Sequence, residues 1–432
     1  MKHIRWAILA LLFLASVINY IDRQSLSILA RTIQDDLQIS DIGYSFVVQV
    51  FLFAYMLSFL VAGFITDRLG VRASMTLFIA WWSMANMLTG FVTSLRGLAA
   101  TRFLLGMGES GLYVVAPKVV SQMFPASQRG LAVGIYSAGA TIGATIAPPL
   151  IAWLTLAHGW RAAFIAGGVI GLIWIIPWLL TYRSARVEAQ TLDGPALTPD
   201  PAAEAEPTRW WETVVSRDVF CLLAIRALTD PVWQFILFWF PKYMTDVRGM
   251  SLEQVGRIGW VPYLAADIGG IVGGYASGVL IQRGFLPADA RKWLMFLCAV
   301  LIPCGALLVT QAQSSQAIVI LMAVIAFAEF TWMVTMTALA VDVLPPRRIG
   351  RMFGVVSAGS GLGGMVFMYA VGRLVTWYSY TPVFVLMGCL HPIAMYFVWR
   401  IARGARLRAQ AAAAVAPIVV ERTGLRGTGG AS

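Results

Sequence analysis

A few charged side chains interrupt long apolar segments of this chain, and they are the residues with the clearest chemical potential. Arg23 follows Asp22 in the first apolar segment, and Glu109 lies in a later one, after Arg102. A buried guanidinium stays charged and can hold a carboxylate with two parallel hydrogen bonds. A carboxylic acid that is shielded from water binds a proton more readily than one in water. The pattern therefore predicts that Arg23 binds an anion and that Glu109, with Asp22, carries a proton.

Polar and aromatic side chains near Arg23 could contact the rest of such an anion. Asn19 precedes Arg23 by one helical turn and shares its helix face, because residues at this spacing are neighbours on a helix. Amide and phenol groups could bind the hydroxyl groups of a polar substrate. The predicted anion ligands in this half of the chain are Arg23, Asn19, Tyr20 and Tyr55.

The same residues allow a purely structural interpretation, which the sequence leaves open. Arg23 could neutralise Asp22, although adjacent helix residues point about 100° apart. Arg102 lies at about the depth of Asp22 and is predicted to form an ion pair with it. Glu109 could then be a fixed counter-ion of an arginine instead of a proton carrier.

The second half of the chain carries a shorter set of candidates. Arg226, Asp230 and Gln234 recur every four residues, which places them in one polar stripe on a helix. We expect Arg226 and Asp230 to form an internal ion pair, with a gating role. Trp233 and Gln234 are predicted to face the substrate, although a buried tryptophan could equally belong to the core. Glu329 is a candidate substrate ligand or second proton site.

The composition sets these residues in a membrane protein. Of the 432 residues, 59% are hydrophobic and 12% are charged, against about 25% charged in ordinary soluble domains. Too few polar residues remain to cover a water-soluble surface, which argues against a soluble enzyme, a disordered protein or a nucleic-acid binder. The four cysteines and three histidines lack metal-ligand spacing, so no metal and no cofactor is expected.

The apolar segments predict an all-α integral membrane protein with twelve transmembrane helices, since a span needs about 20 mainly apolar residues. The predicted spans are 6–29, 44–66, 73–95, 98–124, 130–154, 160–182, 219–245, 255–281, 292–311, 316–343, 351–376 and 381–402. Most lysines and arginines outside the spans lie on the side of the N-terminus, which predicts that both termini are cytoplasmic.

The predicted domains follow from composition and from an internal repeat. Residues 1–182 and 219–402 are predicted to form two pseudo-symmetric six-helix bundles, joined by a Pro- and Glu-containing cytoplasmic linker at 183–218 and followed by a disordered cytoplasmic tail at 403–432. The repeat has one constant offset, which pairs Glu109 with Glu329, Pro125 with Pro345, Gly130 with Gly350, Gly139 with Gly359 and Gly143 with Gly363. Such repeats relate the halves of many transporters.

A basic loop with glycines separates the second and third predicted spans. It reads Gly63-Phe-Ile-Thr-Asp67-Arg68-Leu-Gly70-Val-Arg72 and resembles the cytoplasmic loop signature of the major facilitator superfamily. The resemblance covers the whole twelve-span layout and implies two bundles that work by alternating access. Asp67 is then expected to pair with arginines or a helix N-terminus across the interface of the halves. The second-half copy of the loop has Gln282 in place of this aspartate, so a latch there should be weaker.

Several motifs are similar to those of the anion:cation symporter family within that superfamily, and most of all to its hexuronate branch. They are Asn19-Tyr20-Ile-Asp22-Arg23, Arg102-Phe-Leu-Leu-Gly106-Met-Gly-Glu109, Ala147-Pro148-Pro149, Gly159-Trp160-Arg161, Thr229-Asp230-Pro231-Val232-Trp233 and Phe238-Trp239-Phe240-Pro241-Lys242-Tyr243. The resemblance implies a proton-coupled symporter that imports a hexuronate or a related aldonate through a bacterial-type inner membrane. The expected partners are a small carboxylate, protons and the lipid bilayer, and we expect a monomer.

Three other functions stay open at this point. The first-half motifs equally allow a proton symporter of another organic carboxylate. A proton-antiporting exporter of cations would use the acidic residues as ligands, and Arg23 would then oppose its substrate. A membrane-embedded enzyme or receptor lacks support from any nucleophile, metal set or large soluble domain in the sequence, so we do not expect an enzyme.

Overall fold

The computed structural model describes residues 2–124, 126–192, 216–344 and 349–424, and the regular structure in these ranges is helical. The helices are α1 (Lys2–Ile28), α2 (Ala30–Leu37), α3 (Asp41–Thr89), α4 (Leu95–Met123), α5 (Ala126–His158), α6 (Trp160–Leu192), α7 (Arg217–Phe238), α8 (Phe240–Asp246), α9 (Leu252–Ile258), α10 (Val261–Gln282), α11 (Pro287–Gln311), α12 (Ser315–Val343), α13 (Ile349–Trp377) and α14 (Thr381–Gly424). Within the described ranges, eleven helical segments are long and apolar enough to cross a membrane.

Helix α3 contains both the second and the third predicted spans. Its backbone departs from helical geometry at Gly70, which has a φ of 74° and a ψ of 166°. Glycine adopts this left-handed φ without a steric penalty, so the chain reverses direction inside the basic loop. The limb after Gly70 corresponds to the third predicted span, and it is not one of the eleven segments.

Serine residues begin several of the helices by capping them. Ser40 and Ser94 accept hydrogen bonds from the backbone N–H groups of Gly43 and Gly97, at 3.2 Å each. Ser251 and Gln254 form a reciprocal capping box at the start of α9. Such bonds satisfy amide groups that have no partner within the helix.

The linker and tail differ from the sequence prediction at their boundaries. Helix α6 continues to Leu192, beyond the predicted linker start at 183, and the remainder of the linker to 215 lies outside the described residues. Helix α14 continues to Gly424, although a disordered tail was predicted from 403. The tail is rich in alanine, the best helix former. Near its start, Arg406 and Arg408 form ion pairs with Asp289 and Asp218 at 2.8 and 2.7 Å.

Glycines of the internal repeat let equivalent helix pairs pack closely in each half. A Cβ atom at Gly139 of α5 would lie 2.4 Å from the carbonyl oxygen of Phe13 on α1. A Cβ atom at its repeat partner, Gly359 of α13, would lie 2.5 Å from the carbonyl oxygen of Leu223 on α7. The α5–α1 contact of the first half is thus repeated as the α13–α7 contact of the second, as expected for pseudo-symmetric bundles.

The two halves are joined at the end of the bundle where α1 ends and α3 begins. Tyr44 of α3 donates a hydrogen bond to the carbonyl oxygen of Phe238 at 2.5 Å, and Ser45 donates one to that of Met368 at 2.6 Å. On the predicted topology this is the outer end, so these contacts close the outer side.

Candidate functional site

A buried ion pair between α1 and α4 is the chemical centre of the first half. The Nε and Nη2 atoms of Arg23 each lie 2.8 Å from Oε2 of Glu109. Arg23 is 8% exposed and Glu109 is fully buried. Two nitrogen atoms of Arg23 thus contact the same carboxylate oxygen. The other oxygen, Oε1, is buried and makes no hydrogen bond within the described residues. Oε1 is therefore the oxygen of Glu109 that a proton can reach without displacing Arg23.

Aromatic rings surround the guanidinium of Arg23. Its Cζ atom lies 4.8 Å from the ring centroid of Tyr20, 4.7 Å from that of Tyr55 and 5.5 Å from that of Phe51. Rings at such distances attract a cation through their electron-rich faces. The rings hold the guanidinium in one place and exclude water from it, while the two phenol groups bring hydroxyls to the site.

Asn19 joins both members of the ion pair. Its Oδ1 accepts a hydrogen bond from Arg23 Nη2 at 3.4 Å, and its Nδ2 donates one to the carbonyl oxygen of Glu109, also at 3.4 Å. The structure therefore brings together Asn19, Tyr20, Arg23, Tyr55 and Glu109, which the sequence predicted as ligands or proton carrier. Both bonds are long, so the amide can re-orient toward another partner.

Asp22 and Arg102 are both buried, but they do not form the predicted ion pair. Asp22 Oδ1 accepts a hydrogen bond from Asn86 at 2.8 Å. Nε and Nη2 of Arg102 make no hydrogen bond in the described part of the chain, and its Cζ lies 4.9 Å from the ring centroid of Phe164. Asp22 and Glu109 still attract Arg102 electrostatically. The sequence analysis did not predict Asn86 as the partner of Asp22. The one signal in the sequence is that a polar amide stands within an apolar span.

The polar stripe on α7 is directed into the second half. Arg226 Nε lies 2.8 Å from Asp230 Oδ2, in the i, i+4 arrangement that the spacing predicts. Gln234 Nε2 donates to the carbonyl oxygen of Ser360 on α13 at 3.2 Å. The Arg226–Asp230 contact lies within α7, and the Gln234 contact joins α7 to α13 of the same half.

Trp233 does not lie with the predicted anion ligands. Its ring packs against Phe330 at a centroid distance of 4.5 Å and against Tyr263 at 6.1 Å, and the residue is 5% exposed. This packing is typical of a core residue, the alternative that the sequence left open, and the contact of Trp233 with the substrate stays a prediction. The rings of α10 and α12 surround it because α7 packs against both helices.

Glu329 pairs with a histidine that the sequence analysis did not single out. Nε2 of His391 on α14 lies 2.9 Å from Oε2 of Glu329 on α12, and both residues are fully buried. The two atoms are close, but they are not aligned for a hydrogen bond. The position of His391 within an apolar span could have indicated this pair, because an ionisable residue in the membrane requires a partner.

Asp67, the predicted latch of the basic loop, contacts its own half. Its Oδ1 lies 2.6 Å from Nζ of Lys118 on α4, and the Asp67 side chain is 75% exposed. The expected contact across the interface of the halves is not the one seen here. This difference agrees with a bundle that is joined at its opposite end.

A charged cluster at the joined end connects the halves and was missed by the sequence analysis. Lys242 of α8 is 2% exposed, and its Nζ lies 2.9 Å from Asp41 Oδ1 on α3 and in contact with Asp246. Arg31 of α2 adds a longer contact to Asp246, at 3.7 Å. The i, i+4 spacing of Lys242 and Asp246 could have indicated their pairing. Their contact with Asp41 depends on how the two halves pack, which local spacing does not show.

A model of the Major Facilitator Superfamily matches residues 12–356 and 278–427 of this chain. The chain belongs to this superfamily. It is therefore a transporter and not an enzyme, and it is a multi-pass protein of the bacterial-type inner membrane. The predicted all-α major facilitator fold is confirmed, and the cytoplasmic position of the termini stays a prediction.

Named relatives place this superfamily member more narrowly. The hexuronate transporter of Escherichia coli (strain K12) is 28% identical over 409 residues, which are 93% of this chain and 94% of that protein. The galacturonate transporter of Dickeya chrysanthemi is 31% identical over 311 residues, covering 70% of this chain and 90% of that protein. The predicted resemblance to the hexuronate branch is thus confirmed.

Solved structures agree on the major facilitator fold. A D-xylose-proton symporter superposes with a TM-score of 0.72 at 13% identity, covering 92% of this chain and 97% of that one. A bacterial homolog of the human lysosomal transporter Spinster, inward-facing and unoccupied, superposes with a TM-score of 0.71 at 18% identity, covering 95% and 98%. At these identities the likeness shows the fold alone.

Proposed function

We propose that this transporter is a proton-coupled symporter that imports sugar-acid anions, hexuronates or related aldonates, by alternating access. The observation that carries the proposal is the buried Arg23–Glu109 pair, in which a carboxylate already occupies the guanidinium. A substrate carboxylate is the same chemical group, so it competes with Glu109 for Arg23. The two ligands of Arg23 are therefore exchangeable.

Protonation of Glu109 links the proton to the anion. A protonated Glu109 loses its charge and most of its attraction to Arg23, which frees the guanidinium for the substrate. The coupling is reciprocal: if proton binding favours anion binding, anion binding favours proton binding by the same free energy. Because Glu109 Oε1 makes no hydrogen bond in the described residues, protonation there breaks no other contact.

The surroundings of Arg23 suit a hydroxylated anion more than a bare one. Tyr20 and Tyr55 flank the guanidinium, and Asn19 bonds to it, so phenol and amide groups lie around a carboxylate bound there. A sugar acid has one carboxylate and several hydroxyls, which such groups can bind. Relatives over most of the chain are named as hexuronate, galacturonate and D-galactonate transporters, which supports this substrate class.

The same geometry speaks against export of cations. A cationic substrate would need Glu109 or Asp22 as its ligand, but Arg23 already neutralises Glu109, and Arg102 attracts both acids. A second cation in this buried site would be repelled by the arginines, because water and salt screen buried charges only weakly.

Import requires that the contacts at the joined end break and reform. Tyr44, Ser45 and Lys242 of that end hold the first half to the second, and on the predicted topology they shut the outer entrance. Opening this end exposes the Arg23 site outward, and closing it returns the site to the cytoplasmic side. The cycle ends when proton and anion leave and Glu109 binds Arg23 again.

Substrate binding to the purified protein tests this proposal directly. A thermal-shift screen against uronates, aldonates, aldarates and short organic acids should show stabilisation by uronates or aldonates, because a ligand that binds only the folded state raises its stability. The best ligand is then titrated by calorimetry into wild-type protein and into Arg23→Ala. Loss of about 1.5–3 kcal/mol for hydrogen bonds to a charged group weakens affinity by about 10- to 100-fold.

The matched control for this titration is Arg257→Ala. Arg257 is an exposed arginine that pairs with Glu253 on its own helix, so its removal should leave affinity unchanged. Unchanged affinity in Arg23→Ala would remove the ligand role of Arg23, and stabilisation only by short organic acids would replace sugar acids as the substrate class.

A further inference from the structure

The second half contains a buried acid–base pair that the transport site does not use. Glu329 on α12 and His391 on α14 are both fully buried, with Oε2 and Nε2 2.9 Å apart. No hydrogen bond reaches the two carboxylate oxygens or the two ring nitrogens from any described residue. Four buried polar atoms without a hydrogen bond are costly, and a net charge on the pair would add to that cost.

Charge balance determines how many protons this pair holds. With no proton to share, the pair is a carboxylate beside a neutral imidazole and has a net negative charge. With one proton, on either residue, the pair is electrically neutral. With two protons it becomes cationic. In a fully buried position the neutral state is the least costly, because isolated buried charges are strongly disfavoured.

Neighbouring charges do not supply the missing compensation. Arg226 and Asp230 on α7 both act on Glu329 electrostatically, but they are an ion pair 2.8 Å apart, and their effects oppose each other. Cys298 on α11 is the titratable neighbour from that helix, and a thiol is neutral at neutral pH. Asp267 on α10 is itself an acid, so it cannot supply a positive charge. The pair must therefore obtain its neutrality from a proton.

The aromatic environment fixes the imidazole next to the carboxylate. Trp332 lies edge-on to the ring of His391 at a centroid distance of 4.8 Å, and its own Nε1 donates to Thr229 on α7 at 3.1 Å. Helices α7, α12 and α14 thus meet at this point. A charge that appears there acts on the packing of all three helices.

We propose that Glu329 and His391 form a second proton-binding site, which holds one proton at neutral pH and loses it only at alkaline pH. The loss leaves an uncompensated negative charge among α7, α12 and α14 and slows the transport cycle. The proton binding itself does not depend on the function proposed above; its effect on transport does.

Histidine-selective nuclear magnetic resonance tests the site, because the chain has only three histidines. The ¹⁵N signals of the full-length, detergent-solubilised protein are assigned with His3→Gln and His158→Gln and followed against pH, with infrared spectra of the carboxylic acids. At neutral pH we expect one of two signals: either both ring nitrogens of His391 carry a proton, or the infrared spectrum contains the band of a protonated carboxylic acid. In Glu329→Gln, that signal disappears, while the signal of the exposed His158 is unchanged.

Two outcomes would overturn the site. One is a neutral His391 beside an ionised Glu329 at neutral pH, with neither spectroscopic signature. The other is a doubly protonated His391 or a carboxylic-acid band that persists unchanged in Glu329→Gln. These spectra need no substrate, so they stand even if the proposed symport fails.

A transport measurement tests the consequence. Substrate exchange is measured for each protein relative to its own rate at pH 7: the wild type should decline at alkaline pH, and Glu329→Gln, which has no charge to compensate, should not. If the variant and the wild type decline together, the pair has no influence on the cycle. Melting curves of both proteins check that folding is preserved.

Discussion

The two halves of the molecule place a glutamate at the same repeat position but give it different partners. Glu109 binds Arg23, an arginine one or two turns into the membrane from the joined end, whereas Glu329 binds His391. Contacts of the repeat glycines define the register: Gly139 faces Phe13 and Gly359 faces Leu223, while Gly143 faces Val17 and Gly363 faces Ala227. Continued along the helices, this register puts Trp233 at the position of Arg23.

The exchange of arginine for tryptophan explains why the two glutamates have different partners. Without a guanidinium on α7 at that position, Glu329 has no permanent cation beside it and pairs with a group that can lose its charge. Trp233 instead fills the core against Phe330. The repeat therefore preserves how the helices pack, while the partner of the buried glutamate differs between the halves.

Neutralising the two glutamates should separate the halves most sharply. Glu109→Gln cannot carry a proton, so we expect uptake driven by a pH gradient to fall to the level of empty proteoliposomes. Substrate exchange should be retained, since a glutamine also leaves Arg23 free for the anion. Counterflow and gradient-driven uptake in the same preparation measure both properties, with Glu329→Gln as the matched variant.

Full gradient-driven uptake by Glu109→Gln would show that Glu109 does not carry the coupled proton. Asp22, which shares the buried region with Arg102, would then be the next carrier to test. Loss of exchange as well as uptake would mean that Glu109 positions Arg23 instead of coupling a proton.

The contact between the halves at Lys242 should give the next largest effect. Lys242→Gln removes a buried cation from between Asp41 and Asp246, at a cost of about 1.5–3 kcal/mol for hydrogen bonds to a charged group. This shifts the balance away from the closed joined end by about 10- to 100-fold. Spin labels on exposed Gln38 and Val247, one in each half, should show a new population at longer distance.

Arg257→Gln is the control for that experiment, because it removes an exposed i, i+4 pair within the second half. It should leave the distance distribution unchanged. If Lys242→Gln also leaves it unchanged, the hydrogen bonds of Tyr44 and Ser45 hold the joined end closed without the charged cluster.

Local spacing and composition predicted much of this molecule, and the exceptions share one cause. The spans follow from the length of the apolar segments. Helical geometry predicts the Arg226–Asp230 pair and the grouping of Asn19 with Arg23, because the residues of each pair lie one turn apart. Asn86 with Asp22, Lys242 with Asp41 and His391 with Glu329 were missed because each pair joins distant helices. Which faces meet is set by tertiary packing, and a single sequence does not display it.

The basic loop provides the smallest expected effect and a test of where the halves meet. Asp67 is 75% exposed and Lys118 is 39% exposed in this structure, and exposed ion pairs contribute about 0–1 kcal/mol. Asp67→Asn should therefore change exchange rates by no more than about fivefold, and high salt should reduce the difference because it screens exposed charges. Gln282→Asn, at the second-half copy of the loop, serves as the uncharged control. A near-complete loss of exchange in Asp67→Asn alone would show that Asp67 holds the halves together when the joined end opens. In that conformation Asp67 would be buried, and losing a buried paired charge costs far more than losing an exposed one.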